Sequence, residues 1–338
     1  MGVRCEADAL FLWEKSMLER AADFFAFMRK RHQIYLDKTA GKPWPWTDDT
    51  ILQEYSFTNV FREYDRVTMW FKNNVRQEMR DKPEVLLATV LFRWFNRPNV
   101  GEAIFLQKNL LESTRGPRDK DNFFSAWDSY LKHGNSDVLK TAILAMCGTG
   151  PYVNGAYIIL GQQGMSKLPG VLACVDVFNN ARDSVFMGRR CHWRDVAESC
   201  LASPTRLEEV WKWLKQTLYL GDFMAYEIVT DLRHTDLLCG ATDIMNWANP
   251  GPGAARGLAR VTNRGVKGRM IMSSVPKGTM ITEMWQLLMM SKRPEYWPKR
   301  KGWPALEMRE IEHTLCEFDK YERTRTGDGT PKARYRRK

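Results

Sequence analysis

The sequence has 338 residues, a hydrophobic fraction of 44% and 13 tryptophans, which indicate a packed protein of one large domain or two closely associated domains and exclude a disordered chain. No apolar run is long enough to cross a bilayer, and the first thirty residues carry charges where a signal peptide requires an apolar stretch. A soluble, cytoplasmic protein without membrane association is therefore expected. The net charge of +11 favours a polyanionic partner, although a solvated tail over 320–338 would explain part of it.

The seven cysteines include no C-x-x-C pair, and their spacing fits neither a zinc knuckle nor a four-cysteine cluster loop. Reduced, buried thiols are the expected state. Cys191 and His192 are adjacent, but a metal site there is the less favoured interpretation. No metal and no cofactor are expected.

The amino-terminal part of the chain reads as helical. An apolar stripe over 7–38 predicts a long helix. Lys42-Pro-Trp-Pro-Trp46 predicts an ordered, non-helical connector, because two prolines prevent a helix and two tryptophans require a packed environment. Thr47 or Asp48 is expected to cap the next helix.

Polar side chains alternate with aromatic ones between Tyr55 and Val67. One interpretation is a buried network of ion pairs between helices. The other is the edge of a pocket, where Asn59 reads a base and Arg62 holds phosphate. The polar residues of the segment are Thr58, Asn59, Arg62, Asp65 and Arg66.

The middle of the chain, over 84–147, predicts further helices, including 85–94 and 121–131. The glycine-rich segment 148–157 is suited to approach a ligand. No G-x-x-x-x-G-K-[S/T] motif occurs in the sequence, which argues against a kinase acting on its own. The residues 167–170 suggest another turn of hairpin type.

A helical hairpin is predicted around Gly221. Thr205 and Glu208 have the spacing of a capping box, apolar residues then share one helical face as far as Leu214, and a second apolar series runs from Ala225 to Leu232. Gly221 suits a left-handed backbone position, and the N–H groups that begin the second helix are available to hold a phosphate. A plain helical hairpin is the alternative.

The carboxyl-terminal third predicts an exposed basic loop over 261–278 and a helix over 282–290. Between Tyr296 and Pro304, aromatic residues alternate with cations, which suits either contact with a nucleic-acid strand or a packed surface loop. A last helix is predicted over 308–321.

That last helix is expected to bury Ile311, Leu315 and Phe318. Its polar residues Glu310, His313, Glu317 and Lys320 fall on roughly one side. Glu317 is a candidate general base, and a solvated helical face is the alternative.

Asp243 lies 22 residues after Gly221. This interval resembles the one between the hairpin glycine and the catalytic Asp of the helix-hairpin-helix DNA glycosylases. The hairpin departs from their pattern, because it reads Leu-Tyr-Leu-Gly-Asp rather than Leu-Pro-Gly-x-Gly, and His-Val does not follow Asp243.

Four blocks together resemble the phage and bacterial thymine-hypermodification proteins. That family includes the alpha-glutamyl/putrescinyl thymine pyrophosphorylases, also called amino acid:DNA transferases, and the helical domain of the 5-hydroxymethyluracil DNA kinases. The resemblance runs from about Phe24 to Arg323. The blocks are 31–35 with 43–47, 57–67, 247–254 and 315–323.

The resemblance implies a mainly α fold of the helix-hairpin-helix DNA glycosylase type. The expected regions are an amino-terminal helical region (1–120), a glycosylase-like region (121–320) and a basic tail (321–338). It also implies transfer of an amine, such as an amino acid or a polyamine, onto pyrophosphorylated 5-hydroxymethyluracil in DNA. The implied partners are modified DNA and an amine donor, with a functional link to a 5-hydroxymethyluracil DNA kinase.

Within this reading Asp243 is the first candidate for the base that deprotonates the amine, and Glu317 is the second. Cations are expected to receive the pyrophosphate, and the glycines after Asn249 let the backbone approach a phosphate. The residues expected to bind substrate or DNA are Asn59, Arg62, Arg66, Gly221, Asn249, Gly251, Gly253, Arg256 and Lys320.

Two other functions remain open from the sequence. One is a DNA glycosylase that excises a modified pyrimidine. The other is a non-catalytic, DNA-binding helical partner of a 5-hydroxymethyluracil DNA kinase.

Overall fold

A computed structural model describes residues 2–107, 125–154, 167–264, 275–331 and 333–335. The side chains of residues 2–19 and of Lys167 are outside this description. Parts of three predicted segments also fall outside the described residues, namely 121–124, 155–157 and 265–274.

The described part of the chain is mainly α-helical, which confirms the predicted fold class. In chain order the helices are α1 (Gly2–Thr39), α2 (Thr50–Glu54), α3 (Arg66–Phe71), α4 (Glu84–Phe95), α5 (Pro98–Gly101), α6 (Ala126–His133), α7 (Asp137–Cys147), α8 (Lys167–Asn180), α9 (Trp193–Ala202), α10 (Leu207–Leu214), α11 (Asp222–Leu232), α12 (Pro252–Val261), α13 (Lys277–Met290) and α14 (Met308–Thr326). A 3₁₀ turn covers Arg62–Tyr64, and π-helical turns cover Lys72–Arg76 and Glu102–Leu106. The strands β1 (Val185–Phe186) and β2 (Arg189–Arg190) form one antiparallel hairpin.

The chain divides into two compact units. Unit 1 combines Met1–Asp65 with Ile244–Lys338, and unit 2 is the continuous segment Arg66–Asp243. This division differs from the three consecutive regions predicted with boundaries at 120 and 320. The second of those boundaries falls inside α14. The specific helix-hairpin-helix glycosylase-like fold stays a prediction.

In unit 1, α12 lies directly against α14. A Cβ atom on Gly257 would overlap the carbonyl oxygen of Leu315, and a Cβ on Gly253 would overlap the sulfur of Cys316. The close approach also brings Arg256 and Arg260 to the Asp319 carboxylate, at 2.8 and 2.9 Å. Glycine at 253 and 257 therefore sets the distance between these two helices.

Aromatic side chains fill the rest of the core of unit 1. Phe24 of α1 packs edge-on against Phe318, with ring centroids 5.6 Å apart. His32 lies within 4.7 to 5.4 Å of the rings of Trp303, Phe61 and Trp297, and its Nε2 lies 2.7 Å from the Gly302 carbonyl oxygen. Burial lowers the pKa of this imidazole. The two tryptophans are therefore part of the core of unit 1, in agreement with a packed loop over 296–304.

In unit 2 the buried helix α4 is held by ion pairs to α11. The Asp231 carboxylate accepts hydrogen bonds from Arg93 at 2.5 and 2.7 Å and from Arg76 at 3.2 Å. All three side chains are almost fully buried. Burying a charge is unfavourable unless it is paired, so these residues depend on one another.

Several predicted element boundaries are confirmed or corrected. The helix over 7–38 lies within α1, and 42–46 is non-helical. Asp49 caps α2 by accepting from the Leu52 N–H, so the prediction of Thr47 or Asp48 as the cap is wrong. The turn predicted over 167–170 is also wrong, because these residues form the first turn of α8.

Two carboxyl-terminal elements are longer than predicted. Helix α13 begins at Lys277, inside the predicted loop, and α14 continues to Thr326. Beyond α14, Tyr55 and Arg334 form an antiparallel bridge, and the Tyr335 N–H donates to the Glu54 carbonyl oxygen. This part of the basic tail therefore packs on unit 1. Among the described helices, each is too short or too polar to span a membrane.

Gly257→Ala is expected to lower the free energy of unfolding of unit 1 by about 1–3 kcal/mol or more. The new methyl group would overlap backbone atoms of α14, which cannot move aside. The measurement is urea unfolding followed by tryptophan fluorescence. Gly278→Ala is the matched control, since Gly278 is also helical but has open space around it, and alanine there should be neutral or slightly stabilising. Equal stability of Gly257→Ala and the unmodified protein would contradict the assigned packing.

Candidate functional site

Two segments of unit 1 contact polar side chains of α14, and these residues are grouped here as a candidate site called the α14 site. One flank is the segment that follows α2, and the other is the loop that leads into α12. The α14 site consists of Thr58, Asn59, Arg62, Asn249, Gly251, Glu312, His313, Glu317 and Lys320.

Glu317 connects the first flank to α14. One carboxylate oxygen accepts from the Thr58 backbone N–H at 3.2 Å, and the other lies 2.5 Å from the Lys320 ammonium. His313, one turn earlier, is 2.7 Å from the Thr58 hydroxyl through its Nε2. The Glu317 side chain is only 6% exposed and that of Lys320 is 30% exposed, so the ammonium is the member of the pair that meets solvent.

A hydrogen-bonded network orients Asn59 at the edge of this site. The Asn59 amide oxygen accepts from Arg31 at 2.8 Å, and its amide nitrogen donates to the Asp65 carboxylate at 3.0 Å. The second Asp65 oxygen accepts from Arg62 at 3.0 Å. Burial raises the pKa of Asp65, and the nearby Arg62 guanidinium opposes that shift. These side chains form a part-buried polar network, and Asn59 would have to exchange these partners to read a base.

The second flank is the loop from Asn249 to the start of α12. The Gly251 N–H points at the Glu312 carboxylate, 3.4 Å away. The Asn249 side-chain oxygen accepts from the Lys277 ammonium at 3.2 Å. Gly251 is the N-cap of α12 and provides no side-chain cap for the N–H groups of the first turn. That end of the helix carries a partial positive charge, which favours an anion.

Two predicted binding residues have structural contacts here. Gly253 is required by the packing of α12 on Cys316, and Arg256 is paired with the fully buried Asp319. Burial and the neighbouring Glu317 raise the pKa of the Cys316 thiol to about 12, so it is protonated at neutral pH.

The acidic residues of α14 are not a solvated face. Glu310 and Glu317 are 7% and 5% exposed, so that alternative is wrong for both. Glu310 accepts from the Glu307 N–H in the capping box that begins α14, at 2.9 Å. Burial, together with the nearby Glu307, raises the pKa of Glu310 to about 7.

In unit 2, Asp243 caps α10. Its two carboxylate oxygens accept from the N–H groups of Leu207 and Glu208 at 2.7 and 3.0 Å. The predicted capping box of Thr205 and Glu208 is therefore wrong, because the cap comes from 36 residues further along the chain. Asp243 is 2% exposed, and its role in catalysis stays a prediction.

The predicted hairpin is present as α10, a turn and α11. Gly221 has φ −78°, so the prediction of a left-handed position is wrong. The positive φ of 71° is at Tyr219 instead. A Cβ on Gly221 would meet nothing within 4 Å, so packing does not require glycine there. Arg66 is exposed at the start of α3.

Eight of the predicted site residues belong to unit 1, and six of them are in the α14 site. The six are Asn59, Arg62, Asn249, Gly251, Glu317 and Lys320, and the other two are Gly253 and Arg256. Arg66, Gly221 and Asp243 belong to unit 2.

Sequence reasoning missed the contributions of Arg31, Glu312 and Lys277. Arg31 belongs to the sequence block 31–35, so the resemblance could have indicated it. Nothing in the sequence around Lys277 indicates its contact with Asn249. His192 begins α9 as its N-cap. Among the described His, Cys, Asp and Glu side chains, none are grouped so that they could hold a metal ion.

Residues 19–330 match the sequence model of the family described as "5-hmdU DNA kinase, helical domain". This match covers most of the chain, and the chain therefore belongs to that family. The 5-hmdU DNA kinase of Bacillus phage SP10 is 25% identical over 311 residues, which covers 88% of this chain and 44% of the kinase. The chain thus spans less than half the length of this relative. No solved structure matches the chain significantly.

Asp243→Ala is expected to destabilise unit 2 by about 1–2 kcal/mol, because two N–H groups of α10 lose their acceptor. Asp243→Asn retains one acceptor oxygen and should lose less. Thermal unfolding measures both, with Asp183→Ala as control, since the Asp183 side chain is 95% exposed. Unchanged melting of Asp243→Ala would show that the cap contributes nothing.

The raised pKa of Glu310 predicts a pH dependence of stability. The folded protein holds this proton more tightly than the unfolded chain, so its contribution is complete below the unfolded pKa of 4.5 and is lost as pH rises towards about 7. In Glu310→Gln the free energy of unfolding should no longer fall over this pH range, a difference of up to about 3 kcal/mol from the unmodified protein. The variant should therefore have the higher melting temperature at pH 8 but not at pH 4.5. If the melting temperatures of the two proteins changed in the same way between pH 4.5 and pH 8, the assignment would be wrong.

Proposed function

We propose that this protein acts in the hypermodification of 5-hydroxymethyluracil in DNA, by transferring an amine onto the pyrophosphorylated base with release of pyrophosphate. The observation that carries the proposal is the pair of Glu317 and Lys320, which places a buried carboxylate 2.5 Å from a partly exposed ammonium in the α14 site. Membership of a family described by a 5-hmdU DNA kinase domain supports the modified base as substrate.

The reaction requires one base and several cations. The amine nitrogen forms a bond to the exocyclic carbon of the base, the bond from that carbon to the pyrophosphate oxygen breaks, and the electron pair leaves with pyrophosphate. The proton released by the amine passes to a carboxylate. Glu317 is assigned the role of this base. Its neighbour Lys320 provides positive charge for the departing pyrophosphate.

The rest of the α14 site would bind the charged parts of the substrate. Arg62 and the first turn of α12 after Gly251 would receive pyrophosphate oxygens, and Asn249 would hold the loop in place through Lys277. Arg256 would help through its neutralisation of Asp319. In unit 2, Arg66 and Gly221 would contact the DNA backbone. Asp243, the first candidate for the base from the sequence, is placed second here because both of its carboxylate oxygens accept N–H groups of α10.

A second function is favoured by the comparison with the phage kinase. The matching family model describes a helical domain of such a kinase, and residues 1–338 contain no phosphate-binding loop motif. A DNA-binding helical module that serves a separate kinase would have these properties. It would bind modified DNA without forming a product.

The test is to incubate the protein with DNA that bears pyrophosphorylated 5-hydroxymethyluracil and a panel of amino acids and polyamines. Mass spectrometry of the digested nucleosides then shows whether an amine is joined to the base. The transferase predicts one aminated nucleoside and one pyrophosphate for each turnover. DNA binding without any product would favour the kinase module, and release of free base would indicate a glycosylase.

Two variants connect the product to the site. Glu317→Gln and Lys320→Met are each expected to lower the rate of product formation by about 100-fold or more. Glu295→Gln and Lys292→Met are matched controls, because both residues are exposed in unit 1. Thermal melting verifies that each variant is folded. Full activity of both site variants would eliminate the α14 site as the catalytic centre.

A further inference from the structure

Arg31 of α1 binds three consecutive residues on the first flank of the α14 site. Its Nε donates to the carbonyl oxygen of Thr58 at 2.9 Å. Its Nη2 donates to the carbonyl oxygen of Phe57 at 2.9 Å and to the side-chain oxygen of Asn59 at 2.8 Å. A guanidinium presents its N–H donors in one rigid plane, so three acceptors on one group fix both the position and the orientation of the segment 57–59.

The peptide between Phe57 and Thr58 connects Arg31 to Glu317. This peptide is trans, and in a planar trans peptide the C=O and N–H bonds point in opposite directions. Arg31 binds the Phe57 oxygen on one side of the peptide. On the other side, the Thr58 N–H donates to Oε2 of Glu317 at 3.2 Å. The direction of the hydrogen bond that Glu317 accepts is therefore set by Arg31.

Two groups hold the Glu317 carboxylate, one at each oxygen. Lys320 lies 2.5 Å from Oε1, and the Thr58 N–H donates to Oε2. The last torsion of a glutamate side chain is broad, so a single contact leaves the plane of the carboxylate free to turn, whereas contacts at both oxygens fix it. A general base must come within about 2.6–3.2 Å of the group that gives up the proton, so this orientation matters for its function.

Arg31 also carries charge into this part of unit 1. Burial lowers the pKa of its guanidinium, and attraction by the carboxylates of Asp65 and Glu317 opposes that shift. A charged donor at a peptide oxygen polarises the peptide and strengthens the N–H on its other side as a donor. Arg31 therefore acts on Glu317 both through the geometry of the Phe57–Thr58 peptide and through its polarisation.

We propose that Arg31 is a positioning residue of the α14 site, which holds the Glu317 carboxylate, through the segment 57–59, in the orientation that accepts the proton of the amine. The inference rests on the proposed function, in which Glu317 is the base. It adds that a residue of α1 controls the chemical step without contacting the reacting groups.

The experiment compares Arg31→Ala with the unmodified protein, using DNA that bears pyrophosphorylated 5-hydroxymethyluracil and the same panel of amino acids and polyamines. Arg31→Ala is expected to lower kcat by about 10- to 100-fold, because the base is misplaced. The KM for DNA should change by less than about threefold, since Arg31 does not bind substrate. Residue-resolved hydrogen exchange should show that the Thr58 amide exchanges at least about threefold faster in the variant.

Arg29→Ala is the matched control. Arg29 lies on the same helix and also binds two backbone carbonyl oxygens, those of Glu295 and Tyr296, at 3.0 and 2.8 Å. Neither oxygen belongs to the α14 site, so kcat and the exchange of the Thr58 amide should both stay unchanged in this variant.

Two further measurements separate positioning from folding. Thermal melting verifies that each variant is folded. If Arg31→Ala unfolds, Arg31→Lys takes its place, because an ammonium has all its donors at one atom and cannot serve the three acceptors together. Arg31 is partly exposed, so guanidinium chloride at a low, non-denaturing concentration should restore part of the kcat of Arg31→Ala and part of the protection of the Thr58 amide. Sodium chloride at equal ionic strength should restore neither.

An unchanged kcat in Arg31→Ala, a loss confined to KM, or unchanged exchange of the Thr58 amide would each overturn the inference. These results would leave the proposed function standing, because the unmodified protein would still form the aminated nucleoside. If the unmodified protein forms no aminated nucleoside, the transferase itself is refuted and the positioning role falls with it.

Discussion

The contact between α12 and α14 is the constraint on which unit 1 depends. Glycine at 253 and 257 lets the two backbones approach until no side chain fits between them. Since α12 can lie only here, the loop before it is directed to Glu312, and the guanidinium groups of Arg256 and Arg260 reach Asp319. The α14 site is thus a result of helix packing as much as of the polar residues that line it.

Local patterns were sufficient for the parts of the structure that depend on neighbours in sequence. The apolar periodicity of α1, α4, α10, α11 and α14 could be read directly, and so could the inward positions of Ile311, Leu315 and Phe318. Glu317 and Lys320 were predicted separately, as a base and as a cation, and their spacing of three residues brings the two side chains together on the helix.

Contacts between distant residues could not be predicted in the same way. The capping-box spacing of Thr205 and Glu208 is a local signal. In the structure the N–H groups of Leu207 and Glu208 donate instead to the carboxylate of Asp243, which lies far along the chain. Likewise, the alternation of tryptophan and cations over 296–304 does not reveal that His32 provides a buried partner for Trp297 and Trp303.

The organisation of unit 1 has a consequence for how the protein is made. The Arg20 guanidinium binds the Glu322 carboxylate across 302 residues of chain. At about 5–20 residues per second, a ribosome needs roughly 15–60 s to add that length. Helix α1 therefore emerges long before α14 exists, whereas the continuous unit 2 can complete its own core in the interval. A chaperone that shields the apolar stripe of α1 during synthesis would act on a defined and lengthy intermediate.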